Sequence, residues 1–449
     1  MSVKIALISL GCPKNQVDSE RMLALLENAG MELVQEPAGA DAAILNTCGF
    51  IESAAQEALS EIFALSSLKK QGLLKKIIVT GCLPERYKDD FLSELPEVDF
   101  VLGTGSYHKI VEAVADALKG RRQACFDDVN LSPLEGRRTL LSSPHTAYLK
   151  IAEGCDNRCA YCVIPKLRGR YRSRPEEDVF REAEALVQNG TRELILVAQD
   201  LTRYGLDLYG KRRLSALLER LCAISGVEWL RLHYLYPDEI DDRLIETVVK
   251  NDKIVNYFDI PIQHINDKIL KSMNRRGGRA LIEALFAKIR QQVPDSVIRT
   301  SVIVGLPGET DLEFTELCEF LKAARLPRAG VFAYSAEEGS AAAAMDSQVD
   351  DETKARRLEL LQNIQYAVME EYNERQKGRI LKVLCEGYDG GSKRYFGRTF
   401  ADSPDIDAKV YFSSEWAVPT GAFAKVHITG AVDSDLTGET KAQDGEHIS

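Results

Sequence analysis

Tyr148-Leu149-Lys150-Ile151-Ala152-Glu153-Gly154-Cys155-Asp156-Asn157-Arg158-Cys159-Ala160-Tyr161-Cys162 decides how the middle of this chain is read. A β-prone run, taken as a strand over Ala147 to Ala152, delivers the chain directly into a loop whose cysteines are spaced C-x3-C-x2-C. Downstream the pattern repeats, with candidate strands at Glu193 to Ala198, Trp229 to Leu235, Tyr257 to Ile262, Val297 to Val304 and Gly330 to Tyr334. Amphipathic stretches lie between them, among them Asp178 to Gln188, Leu214 to Ala223 and Ala280 to Gln291. Six strand–helix repeats predict a partial parallel βα barrel, a fold whose chemistry sits at the carboxyl ends of its strands. The cysteine loop follows the first of them.

Upstream, strands at Lys4 to Gly11, Ala42 to Asn46, Lys76 to Thr80 and Phe100 to Leu102 alternate with helices at Val17 to Ala29, from about Ile51, and around Lys109 to Leu118. This predicts an open parallel α/β sheet covered on both faces. Cys12, Cys48 and Cys82 each fall just past the end of a predicted strand, the edge at which such sheets bind ligands. Ala124 to Pro144 lacks periodicity and reads as a connection. Asp351 to Gln376 reads as a helix, with Leu358, Leu361, Ile364, Val368 and Tyr372 near one face. Beyond Gly378, short strands at Ile380 to Cys385, Tyr395 to Thr399, Lys409 to Phe412 and Ala424 to Ile428 predict a small OB-like β-barrel. The 449 residues thus divide as an α/β domain over 1–120, a linker over 121–143, the partial barrel over 144–350, a connecting helix over 351–377, the β-barrel over 378–441 and a tail over 442–449. Three domains suit the length.

The 57 Lys and Arg against 68 Asp and Glu give a net charge of −11, which argues against a generally sticky nucleic-acid binder. No apolar run reaches the roughly 18 residues of a membrane span, and Ile5 to Gly11 before Cys12 is too short for a lipoprotein leader. A cytoplasmic protein with no membrane partner is expected. Ten cysteines in such a chain read as metal ligands, catalytic groups or buried small hydrophobes before disulfides. Cys125, Cys222, Cys318 and Cys385 stand alone and read as packing residues. Three thiolates in one tight loop hold a four-iron cluster while leaving one iron without a protein ligand, a place for a substrate to coordinate. The alternative is a zinc site lacking its fourth ligand, which no nearby His supplies.

The Cys155–Cys162 loop resembles the S-adenosylmethionine-binding signature of radical SAM enzymes, with Tyr161 at the aromatic position before the last cysteine. The resemblance implies that the open iron chelates S-adenosylmethionine and that an electron from an external low-potential donor cleaves it to a 5′-deoxyadenosyl radical. It implies further cofactor contacts from Tyr161, from Gln199 and Asp200 at the second strand's end, from Gly305 and Glu309 in Gly305-Leu306-Pro307-Gly308-Glu309, and from Tyr334 near the adenine. Alone, the segment at 305–309 reads only as a turn before a helix.

Leu10-Gly11-Cys12-Pro13-Lys14-Asn15-Gln16, Asn46-Thr47-Cys48 and Thr80-Gly81-Cys82 look like the segments that ligate a second cluster in the methylthiotransferases of that superfamily. With a terminal barrel of the TRAM type, the resemblance covers nearly the whole chain. It implies a transferase with two 4Fe-4S clusters, Cys12, Cys48 and Cys82 holding one and Cys155, Cys159 and Cys162 the other. One S-adenosylmethionine would serve as methyl donor, another as radical source, and a sulfur source is needed. Replacing an unactivated C–H by C–S–CH3 requires hydrogen abstractor and sulfur donor beside one carbon, which is a positioning problem. A non-catalytic iron–sulfur carrier would leave the six barrel repeats without purpose.

Ala198-Gln199-Asp200, Leu232-His233-Tyr234-Leu235-Tyr236-Pro237 and Tyr334-Ser335-Ala336-Glu337-Glu338-Gly339-Ser340 resemble the branch acting on the β-carbon of an aspartate in small-subunit ribosomal protein S-twelve, free or in the subunit. The alternative is the tRNA adenosine branch, which usually carries Gln-Met-Asn after the first cysteine and Asn where Asp200 stands. From Gly378 to Ser449 there are 8 Lys and Arg against 11 Asp and Glu, a balance that suits a basic protein over tRNA. Lys166, Arg168, Arg170, Arg172 and Arg174 alternate and would share one face of an extended strand, solvated or set against RNA or carboxylates. Arg168, Arg170, Glu337 and Glu338 are the candidate substrate-binding residues; His233 and His264 are taken as lining the site.

Overall fold

The computed structural model describes residues 2–131 and 136–440; the tail expected at 442–449 and residue 441 of the expected β-barrel lie outside them. The first sheet contains β1 (Lys4–Ser9), β2 (Glu32–Val34), β3 (Ala42–Thr47), β4 (Lys76–Gly81), β5 (Phe100–Leu102) and β6 (Gln123–Cys125), all parallel, in the order β2-β1-β3-β4-β5-β6. β3 is buried along its whole length because helices cover both faces, which is why it reads as an unbroken apolar run. β6 falls in the stretch read as the start of the linker; three residues are too few to show a period.

The second sheet starts at β7 (Thr146–Lys150). A two-stranded ladder of β8 (Ala152–Glu153) and β9 (Arg172–Ser173) then brackets the cysteine loop. β10 (Glu193–Val197), β11 (Trp229–His233), β12 (Ile254–Asp259), β13 (Val297–Val304) and β14 (Arg328–Ala333) complete a six-stranded parallel sheet in the order β14-β13-β12-β11-β10-β7. β7 and β14 do not pair, so the barrel is open. Helices pack its convex face through a core that includes Leu149, Leu196, Leu217, Phe258 and Leu321. Its concave face is filled from elsewhere in the chain. Val17, on the helix Pro13–Asn28 of the first domain, packs on Tyr148, Ile195 and Val197. Farther along, Trp229, Tyr257 and Val297 receive Leu384, Phe400, Ala401 and Phe423 of the C-terminal barrel, with Trp229 and Phe423 edge to face at 4.8 Å.

That closed barrel runs β15 (Ile380–Asp389), β16 (Arg394–Arg398), β17 (Val410–Ser413), β18 (Phe423–Val432) and β19 (Asp435–Thr440) in the order β15-β16-β17-β19-β18. β19, with Leu436 as its one apolar residue, is absent from the sequence reading; closure recruits it by pairing it with β17 and β18. The helix Asp351–Glu374 joins the two barrels.

Buried ion pairs fix the domains to one another. Glu193 accepts from Arg231 at 2.8 Å and from Arg398 of the C-terminal barrel at 2.6 Å. Arg328 pairs with Asp402 at 2.6 Å, and Tyr257 donates to Asp407 at 2.6 Å. Two of the acidic residues that made the C-terminal count negative are therefore spent on docking rather than on display. On the other side, Glu182 accepts from Arg21 at 2.8 Å, Arg174 at 2.7 Å and Arg138 at 2.6 Å, Arg138 lying in the stretch read as linker with only its side chain buried. Burial would raise both carboxyls, but Arg174, Arg21 and Arg138 around Glu182, and Arg398 and Arg231 around Glu193, hold each down to about 2. A carboxyl held below its unfolded value of about 4.3 stabilises the fold fully above that pH and loses the contribution on acidification. The urea midpoint is expected to fall between about pH 5 and pH 3, and to fall less steeply in Glu182→Gln.

Candidate functional site

In the first sheet the strand order reverses between β1 and β3, the switch point where a crevice opens beyond the carboxyl ends. Ser9, Asn46 and Thr80 stand in register across β1, β3 and β4, and Cys12, Cys48 and Cys82 follow that line three, two and two residues later. Asn15 ties the segments together, donating to Thr47 O at 2.9 Å and Leu10 O at 3.2 Å, while Asn46 donates to Asn15 O at 3.0 Å. Gly11 has a left-handed φ of 90°, and a Cβ there would lie 2.6 Å from Cys48 Cβ. Gly11→Ala is expected to cost about 1–3 kcal/mol of local strain and to lower the iron retained by the first cysteine set, measured on a variant lacking the second.

Burial pushes the Cys48 thiol up to about 12 and raises Cys82. Burial would raise Cys12 too, but Lys14 and Arg168 outweigh it and leave that thiol below its ordinary value. Among the described residues, no three His, Cys, Asp or Glu side chains converge tightly enough for one metal ion. A mononuclear tetrahedral site would need thiolates about 3.8 Å apart. Three thiols flanked by Lys14 and Arg168, with no fourth cysteine in their segments, suit a four-iron cluster with one open iron.

The second set lies between β8 and the helix Ile164–Arg168. Gly154, with φ of 78°, lets the chain turn where a Cβ would meet Arg170 O at 2.0 Å. Ala160 donates to Met273 O at 2.9 Å and accepts from Ala342 N at 2.8 Å, so the loop is clamped between two later segments. Tyr161 packs in an apolar cluster with Ala160, Met273, Leu306, Tyr334 and Ala342, which brings the cysteine loop, the 305–309 turn and the end of β14 together. Tyr334 Oη and Gln199 Oε1 are buried and without a protein partner, as groups awaiting a polar ligand would be. Gln199 Nε2 donates to Glu153 at 2.7 Å. Asp200 is already engaged, accepting from Asn157 Nδ2 at 2.8 Å and from Thr202, so it holds the loop. Glu309 accepts from Gly305 N at 2.9 Å and Arg357 at 2.8 Å, and Lys354 covers Gly305; these two shape the turn.

The five alternating basic residues do not form one strand. Pro165 starts a short helix that ends at Gly169, and only Arg172–Ser173 is extended. Arg168 is consequently buried, bonded to Asp18 at 2.8 Å, to Glu153 at 2.9 Å and to Asn15. Lys150 completes the group, at 2.6 Å from Glu153 and in contact with Asp18. Arg168 follows Cys162 in sequence and its charge reaches Cys12, Cys48 and Cys82, so this network ties the segment after the second cysteine loop to the first cysteine set. Arg170 is exposed, and its backbone N donates to Asn130 at 2.9 Å. Glu337 latches the loop after β14 onto the first domain, accepting from Arg86 at 2.6 Å and Glu52 N at 3.1 Å; Glu338 is exposed and offers its carbonyl to Arg86 at 3.3 Å.

Sequence reasoning missed Arg275 and gave Tyr236, quoted within Leu232–Pro237, no role; they approach Cys159 Sγ at 3.8 and 3.9 Å with the guanidinium 4.1 Å over the ring. No local motif marks Arg275. Of the two histidines, His264 is fully buried, its Nε2 3.3 Å from Glu309. His233, which burial holds in the neutral form, lines a cavity of about 340 Å³ with Ser9, Cys12, Gln16, Tyr148 and Tyr234. Lys14 Nζ lies 4.5 Å over the Tyr234 ring.

Three family profiles match the chain: Uncharacterized protein family UPF0004 over residues 4–103, Radical SAM superfamily over 149–321 and TRAM domain over 378–440. The ribosomal protein uS12 methylthiotransferase RimO of Pelotomaculum thermopropionicum is 47% identical over 98% of this chain and 100% of its own length. Its counterpart from Thermoanaerobacter sp. is 46% identical over 97% and 99%. Among solved structures, the radical S-adenosylmethionine methyltransferase TsrM from Kitasatospora setae has a TM-score of 0.53 at 14% identity, covering 74% of this chain and 75% of that one. The cobalamin-dependent S-adenosylmethionine radical enzyme OxsB gives 0.51 at 12%, over 82% and 58%. At such identities the likeness is one of fold.

Proposed function

This chain belongs to the ribosomal protein uS12 methylthiotransferase family, and from that premise we propose how its residues divide the work. It is a radical SAM transferase, its cofactors are 4Fe-4S clusters and S-adenosylmethionine, and its substrate is ribosomal protein uS12 rather than tRNA. In our reading Cys12, Cys48 and Cys82 hold one cluster and Cys155, Cys159 and Cys162 the other, with Tyr161, Gln199 and Tyr334 around the S-adenosylmethionine. The residue modified is an aspartate, at its β-carbon. When bound, these groups supply the radical that removes a substrate hydrogen and the sulfur and methyl that replace it.

The chain's own part is to hold and to shield. Arg168, Glu153, Asp18, Lys150 and Asn15 lock the segment after Cys12 to the segment after Cys162, and that is the observation which carries the reading, because sulfur donor and hydrogen abstractor must face one carbon. Arg275 and Tyr236 bound the Cys159 side, and Leu306 with Met273 keeps water from it. Asp200, Gly305 and Glu309 act as positioning residues. The cluster-binding unit extends through β6, ahead of the partial barrel and the TRAM-type barrel. An external low-potential electron donor and an external sulfur source complete the system, because no further redox or sulfur-donating motif stands in the sequence. Among the described residues no helix is long and apolar enough to cross a membrane, which accords with work in the cytoplasm.

The test is direct. Anaerobically reconstituted chain is incubated with uS12 or with tRNA, S-adenosylmethionine, sulfide and reductant, and both products are weighed. The uS12 should gain one methylthio group in place of hydrogen, on an aspartate; gain on tRNA alone would overturn the reading.

A further inference from the structure

The C-terminal barrel sends one loop, Asp402 to Asp407, into the concave face of the partial barrel and pins it at both ends. Asp402 accepts from Arg328 Nη2 and from Thr399 Oγ1, each at 2.6 Å, and Ser403 Oγ lies 3.0 Å from His233 Nε2. Asp407 accepts from Tyr257 Oη at 2.6 Å and from Ser403 N at 2.9 Å. The apex left between these anchors is Pro404-Asp405-Ile406, and all three line the cavity that Cys12 and His233 also line. Asp405 has a left-handed φ of 64°, which Asp and Asn adopt more readily than other residues with a side chain.

The anchors use Asp402, Ser403 and Asp407, so the exposed Asp405 carboxylate is presented at the cavity rim rather than spent on the fold. Ile406, 50% exposed, also lines a second cavity of about 440 Å³ along the free edge of β14, with Phe332 (49%) and Tyr366 (44%). A carboxylate thus stands between a cavity reaching Cys12 and a second cavity in which Ile406, Phe332 and Tyr366 are exposed while Arg299 and Arg328 are paired with Asp259 and Asp402.

We propose that Asp405 is a specificity-determining residue: its carboxylate binds a Lys or Arg side chain of the substrate protein close to the modified position, while Ile406, Phe332 and Tyr366 take apolar side chains of the same segment. This rests on the reading of uS12 as substrate and deepens it. The chemistry is that of an exposed rim, where a carboxylate pairs with a guanidinium or ammonium and repels a phosphate. A proteinaceous, cationic occupant fits; a nucleic acid does not.

Binding of fluorescently labelled uS12 to the full chain is measured by anisotropy, on both cluster-free and reconstituted protein. Asp405→Asn keeps the side chain's shape and a residue type that tolerates left-handed φ. It should weaken binding about tenfold, whereas Glu415→Gln, at an exposed acidic residue of the same barrel, should leave it unchanged. Neutralising the basic residues of uS12 one at a time to Gln should identify one whose loss costs wild type the same factor and costs Asp405→Asn nothing further. Binding of Asp405→Asn within twofold of wild type, an equal loss in Glu415→Gln, or additive losses for every basic residue would each overturn the inference. If wild type neither binds nor modifies uS12, the functional reading itself fails; if it does both and Asp405→Asn binds as well, only the inference fails.

Discussion

Alanine at Cys155, Cys159 or Cys162 abolishes reductive cleavage of S-adenosylmethionine and with it all methylthio insertion, while alanine at Cys12, Cys48 or Cys82 spares cleavage and abolishes insertion alone. This is the expected result because each set has only three thiols, so the loss of one leaves two. A four-iron cluster on two thiolates would have two irons without protein ligands and would be lost. The sets are also built into separate domains, so the loss of one leaves the other folded. Each triple-alanine variant should retain about half of the iron after reconstitution, while 5′-deoxyadenosine formation vanishes only when the second set is removed. Robust insertion in any of the six single variants would refute the assignment.

The second large effect is on stability. Glu193 is fully buried and is the one carboxylate that Arg231 of the partial barrel and Arg398 of the terminal barrel share. Alanine there leaves two guanidinium groups in the interior with diminished compensation, and removing one member of such a group typically costs about 3–5 kcal/mol. Glu193→Ala should therefore lower the denaturant midpoint substantially and expose the β15–β19 barrel to protease ahead of the rest of the chain. Removal of the whole group is milder where apolar residues can replace it, so a Glu193→Leu, Arg231→Met, Arg398→Met triple variant should recover much of the loss. A Glu193→Ala protein as stable as wild type would show that the pairs are not what holds the barrels together.

The parallel sheets were legible because their central strands are buried on both faces and so appear as short runs of Val, Ile and Leu between helical periods. β2, β6 and β19 were not, since each is too short or too polar to carry a period and exists only because a neighbouring strand needs a partner. Both cysteine sets could be found for opposite reasons: Cys155, Cys159 and Cys162 by local spacing, Cys12, Cys48 and Cys82 because parallel strands bring their ends to one edge. Alternation misled at Lys166 to Arg174, where Pro165 and Gly169 impose a helical turn and carry Arg168 inward to Asp18 and Asn15. Arg275 and Asp405 reach their places through tertiary packing alone, and Tyr236, though part of a quoted segment, stands 77 residues from the Cys159 that it approaches. The acidic count of the terminal barrel pointed to a basic partner, yet Asp402 and Asp407 face inward.

The helix Pro13–Asn28 closes part of the partial barrel's concave face through Val17, Asp18 and Arg21. That has a consequence for synthesis. Val17 leaves the ribosome some 180 residues before Val197, the last strand residue it packs against, is made. At about 5–20 residues per second the helix waits on the order of ten to forty seconds with a buried cation, a buried carboxylate and an apolar side chain all facing water. The first domain is then a nascent half-product, and the crevice at Cys12 acquires its far wall only when His233, Tyr234 and the Pro404–Ile406 loop have been made.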